Sequence, residues 1–216
     1  MVKSMADQLV LQFSTCAPHW RDFTPPFVKR GQGLFAPISL VFDKYWATPL
    51  IRRLSHSPFT HCDMILDDGN LLGASDNKDA PVVKGNPRGV AIRPPDYQPF
   101  GYRRWVILKT DRADDIRAIA CTQIGKAFDN SGLKEFIGDK FPGVRDWRLD
   151  TTWWCSELMT WAMEAGGFWQ PRMLVWPKNR VSPTDLLLVL LMDERWVNRD
   201  SFWQPVPGLQ LGPDEK

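Results

Sequence analysis

Histidine is scarce in this sequence, with only His19, His56 and His61, and the four cysteines, Cys16, Cys62, Cys121 and Cys155, are far apart with no Cys-x-x-Cys. Structural zinc sites need four such ligands at short spacings, so no metal site is expected. No Gly-rich phosphate loop, internal repeat or low-complexity tract is present, and no cofactor is expected. Charge of either sign is not in excess: the net charge of +2 gives no reason to expect nucleic acid as a partner. No apolar run approaches the roughly 20 residues of a membrane span, so no integral membrane segment is expected. Met1 to Val10 carries Lys3 and Asp7 but no apolar signal core, so no Sec signal is visible. The expected location is cytoplasmic as synthesised, with any export requiring a route that needs no cleaved signal. Reduced thiols are expected for the same reason.

What remains is the composition of a globular chain. Its 216 residues suit one domain, expected over 1–207, with a polar, Gly/Pro-containing tail over 208–216. Hydrophobic residues make up 44% and charged ones 24%, enough for a full-sized core. Leu9 to Phe13, Phe59 to Leu66, Leu71 to Ser75, Gly89 to Arg93 and Arg104 to Lys109 read as strands. Helical spacing recurs between Leu34 and Leu54, from Ala113 to Gly125, and after Ser182-Pro183-Thr184-Asp185, where Ser182 or Thr184 is placed to cap. A loop-rich region runs from Phe128 to Leu149. The fold class expected is α+β, with a small, mostly antiparallel sheet.

The helix expected from Trp153 onward organises the chemistry. Leu158, Met159, Ala162 and Met163 give it a buried face, Asp150, Thr151 and Thr152 are candidate N-caps, and Gly166-Gly167 is a stop. Cys155 falls in its first turn, where unpaired amides favour thiolate. Such a nucleophile needs a base. His61, early in a strand, is held more rigidly than His19 or His56, which lie in loops. The base needs an orienting group in turn. If Asp68-Gly69 form a two-residue turn, Leu66 faces Leu71 and Asp76 stands opposite His61. A one-residue bulge would bring Ser75 or Asn77 there instead. Asp63 shares the face of His61 on its own strand. Asp76 and Asp63 are equal candidates, and Ser75 ranks third. Trp153 and Trp154, two of eleven tryptophans, are candidate groove walls for substrate, with core packing the alternative.

Thr60-His61-Cys62-Asp63, the Asp68-Gly69 hairpin, Ala74-Ser75, Gly89-Val90 and Trp154-Cys155-Ser156-Glu157-Leu158 resemble the motifs of NlpC-like, papain-like cysteine hydrolases. More narrowly they look like the circularly permuted branch with YiiX/YebB-type and phage-borne members, in which His precedes Cys. Val181-Ser182-Pro183-Thr184-Asp185-Leu186 is similar to that branch's Ser-Pro-x-Asp-Leu segment. Several permuted members carry a glutamate near the position of Gly73, so the resemblance does not carry their third catalytic residue across.

The resemblance implies a permuted papain-like fold and a cysteine peptidase or amidase acting on amide or peptide bonds, with bacterial cell-wall peptide the leading substrate. In that setting an immunity or delivery protein is an expected partner, and the protein is expected to be monomeric. An acyl ester or lipid amide hydrolase or acyltransferase with the same Cys155–His61 pair is the second reading. A binding or virion-associated module is the third, motivated by the missing carboxylate at Gly73.

Overall fold

The computed structural model describes residues 7–15, 59–98, 100, 102–129, 151–169 and 181–202. The helical pattern expected over residues 34–54, the loops of His19 and His56, most of the region 128–149 and the tail over 208–216 lie outside the described residues.

The strands are β1 (Gln8–Thr15), β2 (His61–Ile65), β3 (Leu71–Ser75), β4 (Lys84–Gly85), β5 (Gly89–Arg93), β6 (Tyr102–Lys109), β7 (Ala127–Phe128) and β8 (Thr152–Trp153). They form one sheet in the order β6-β1-β2-β3-β5-β7-β8, with β4 alongside β5. Every pairing is antiparallel except β7 with β8. Among the described residues there are three α-helices, α1 (Ala113–Cys121), α2 (Cys155–Ala165) and α3 (Pro183–Met192). The chain is thus α+β, with a sheet larger than the sequence suggests.

Period-two alternation divides the sheet into two faces. Leu9, Leu11, Phe13, Cys62, Met64, Leu72, Ala74, Val90, Val106 and Leu108 meet the apolar faces of the helices. Among these are Ile116 and Ala120 of α1, Leu158, Met159 and Ala162 of α2, and Leu186 and Leu190 of α3. Each fully buried leucine contributes on the order of 1.5–3 kcal/mol relative to exposure. The opposite face carries Gln12, Ser14, His61 and Asp63, with a smaller cluster of Leu71, Ala80 and Tyr97.

The Asp-Gly hairpin forms, in a different register from the one expected. Leu66 N–H donates to Asn70 O at 2.9 Å, Gly69 N–H donates to Leu66 O at 2.9 Å, and Ile65 faces Leu71. Asp67, Asp68 and Gly69 therefore form a three-residue loop, closed by Gly69 at φ +82°, where a side chain would be strained. The extra loop residue moves β3 by one place. Continuing the observed register brings Ser75 level with His61, and Asp76 passes beyond the end of β3. A one-residue shift reverses the face of every side chain.

The caps also differ in part. Helix α2 begins directly at Cys155 with Trp154 as N-cap, not Asp150, Thr151 or Thr152, because Thr152 and Trp153 are drawn into β8. Helix α1 stops at Cys121, four residues short of Gly125, which takes a positive φ in the turn that follows. Helix α3 is capped by Ser182: Asp185 N–H donates to Ser182 Oγ at 3.1 Å, and Ser182 N–H donates to Asp185 Oδ2 at 2.9 Å. That reciprocal box, with Pro183 in the first turn, accounts physically for Ser-Pro-x-Asp.

Candidate active site

His61 opens β2 opposite Ser14, and Asp63, two residues on, shares its face. Both are buried, and His61 Nε2 lies 2.9 Å from Asp63 Oδ1. Room for that carboxylate comes from β3. A Cβ at Gly73 would come within 1.9 Å of Asp63 Oδ1, so a side chain at 73 and this Asp63 conformation exclude one another. The carboxylate beside His61 is thus that of Asp63, across the ladder from Gly73.

Tyr97 reaches the pair from a turn closed by its N–H to Pro94 O at 3.2 Å. Its hydroxyl is 2.9 Å from His61 Nε2 and donates to Asp63 Oδ2 at 3.2 Å. Gln98 Nε2 donates to the same phenolic oxygen at 3.4 Å. The fully buried Arg93 ties this corner to the sheet. Its guanidinium donates to Gly73 O and Gly89 O, each at 3.0 Å, and lies 5.3 Å from the Tyr97 ring centroid.

The His61 imidazole also meets Cys155. That cysteine is the first residue of α2 and is 5% exposed. Its thiol is held well below the ordinary cysteine range, first by a hydrogen bond from the Cys62 thiol. Burial opposes this, and the charge and hydrogen bond of His61 and the Cys62 backbone N–H reinforce it. A thiol is a weak donor, so the imidazole and the amide are the partners expected to matter most.

The strands part at this point, which lets the Cys62 amide turn to the thiol. Leu66 N–H bonds to β3, so by alternation the N–H of Cys62 points toward β3 as well. The β2–β3 ladder, however, ends at Met64 opposite Leu72, and the Cys155 sulfur takes the Cys62 N–H beyond it. The dipole of α2 acts in the same direction.

The neighbouring motif residues have structural work. Ser156 Oγ donates to Val181 O at 2.6 Å, fastening the start of α2 to the segment that caps α3. Glu157 Oε2 lies 3.5 Å from Trp154 N–H, reaching back across the first turn. Leu158 is fully buried.

The other candidates are placed as follows. Asp76, expected opposite His61, is exposed and lies 3.5 Å from Arg88 Nε; the longer hairpin loop is the reason. Ser75 Oγ accepts from Asn77 N–H at 3.2 Å. Trp153 and Trp154 are buried. Trp153 Nε1 donates to Gln123 Oε1 at 3.1 Å, and its ring packs 5.0 Å from that of Trp161. These are core roles. Among the described residues no group of three or more His, Cys, Asp or Glu side chains is arranged to hold a metal.

Three participants were not read from the sequence. Tyr97 and Gln98 sit in a Pro-rich turn with no periodic signal, although Tyr is one of only three tyrosines. Cys62 was hidden by alternation, since it faces the core while its neighbours face the site.

No protein-family model matches the chain, and no curated protein matches it.

Proposed function

We propose that the chain is a cysteine hydrolase of permuted papain-like fold that cleaves an amide or peptide bond. The observation that carries this is the line of groups from Cys155 through His61 to Asp63. An activated thiol at a helix start lies on an imidazole whose far nitrogen is held by a buried carboxylate.

In the proposed reaction, the Cys155 sulfur adds to the carbonyl carbon while His61 carries the proton. Negative charge gathers on the carbonyl oxygen beside the Cys155 N–H at the start of α2. His61 passes its proton to the departing amine as the C–N bond breaks, leaving a thioester. It then takes a proton from water as the hydroxide adds to the thioester carbon. The C–S bond breaks, releasing the acid and restoring the thiol–imidazole pair.

Asp63 weakens the case for a binding-only module, whose ground was the lack of a carboxylate at Gly73. Cell-wall peptide is the proposed substrate, with delivery by a signal-independent route. The described residues contain no helix long and apolar enough to cross a membrane. Digestion of muropeptides by wild type and Cys155→Ala, followed by mass spectrometry, tests the reading. Cleavage by the first alone is expected, and no cleavage by either would refute the substrate class.

A further inference from the structure

The hydrogen bonds around Tyr97 have a direction. The Gln98 amide nitrogen has only protons to offer, so it occupies a lone pair of the phenolic oxygen. The phenolic proton is directed to Asp63 Oδ2. An ionised carboxylate only accepts, so the contact between its other oxygen and His61 Nε2 needs a proton on the imidazole. These donors converge on Asp63, and Nδ1 is left with the lone pair that a general base requires. The Tyr97 oxygen, 2.9 Å from the same Nε2, is also within reach of that N–H.

We propose that Tyr97 is a positioning residue. Its hydroxyl, oriented by Gln98, holds His61 in the tautomer with Nε2 protonated and stands in for Asp63 when the carboxylate is lost. The proposal rests on the Cys155–His61 chemistry above and deepens it, because the orienting group becomes a pair, Asp63 and Tyr97. The ring has its own supports, the Phe100 edge at 5.3 Å and the Arg93 guanidinium. Tyr97→Phe therefore removes the hydroxyl and leaves the packing.

Two measurements that need no substrate test it. The first is the tautomer of His61, from nitrogen chemical shifts in histidine-labelled protein, assigned by the signals lost in His61→Ala. The second is the rate of Cys155 alkylation by iodoacetamide against pH. Both are taken on wild type, Tyr97→Phe, Asp63→Asn and the double variant. Each single variant is expected to keep the Nε2–H tautomer and to slow alkylation at mildly acidic pH by no more than about tenfold. The double variant is expected to lose the tautomer and to slow by more than the product of the singles.

A double variant that shows only the product, or keeps the tautomer, overturns the proposal. Should the double variant not fold, Asp63→Ala alone decides. Retention of Nε2–H supports Tyr97, and a switch to Nδ1–H overturns it. Failure of the underlying chemistry looks different: His61→Ala would leave the Cys155 profile unchanged.

Discussion

Gly73 shows how much one missing side chain can decide. Its substitution by alanine would place a methyl group where Asp63 Oδ1 now sits. The carboxylate would have to leave His61, and the backbone there can yield little because Arg93 holds the Gly73 carbonyl. Gly73→Ala is expected to reduce hydrolysis by about tenfold, Tyr97 still holding the ring. The Asp76→Ala change, at an exposed surface pair, should alter neither rate nor stability measurably. Parallel assays of the two variants check the assignment of the carboxylate.

The depressed Cys155 thiol has two pH consequences. Alkylation should persist below the ordinary cysteine titration near pH 8.5, and Cys62→Ala should move its inflection upward. For stability, the folded thiol titrates lower than the unfolded one. Between those two values the unfolded state binds more protons, so stability rises with pH. This contribution is fully present above about pH 8.5 and is lost as pH falls through the folded value. Urea midpoints of wild type and Cys155→Ala across pH should show the slope in the first and its reduction in the second.

At the scale of elements, local chemistry was legible and registration was not. Ser182, Pro183 and Asp185 announce the start of α3 because capping is a matter of four consecutive residues. Ser182→Ala should cost about 1 kcal/mol and lower the melting temperature by about 2–4 °C, read by thermal denaturation. The Asp-Gly turn announced a hairpin, yet two-residue and three-residue loops share that signal. The two-residue choice reverses the faces and sets Asp76 level with Asp63 as a candidate partner of His61, whereas the three-residue loop leaves Asp63 beside the ring and Asp76 beside Arg88. The cap of α2 was misread because Thr152 and Trp153 pair with β7, a contact that no local pattern reveals. Tyr97 was illegible for the same reason: a turn residue acquires its role from what the sheet brings beneath it.

For the molecule as a whole, β1 is the strand on which the site is assembled. It pairs along its length with β6, from Gln8 opposite Lys109 to Thr15 opposite Tyr102, and over Val10–Ser14 with β2. Such pairing follows from the completed core rather than from sequence periodicity, and the sequence reading left β1 as an isolated run. Amides of β1 and β2 should be among the slowest to exchange with deuterium, while those at the β2–β3 loop exchange early. Exchange read by mass spectrometry checks this order. Rapid exchange throughout β1 would contradict its pairing on both sides. The helix pair is joined as well, since Ser156 binds the carbonyl of Val181 just ahead of the α3 cap. Two motifs that look separate in the sequence are one joint.

The clearance at Gly73 also constrains descent. An acidic residue at 73 and one at 63, each aimed at the same histidine, cannot occupy the site together. Wherever position 73 carries a side chain, the carboxylate at 63 has to turn away from the histidine or give way to a smaller residue.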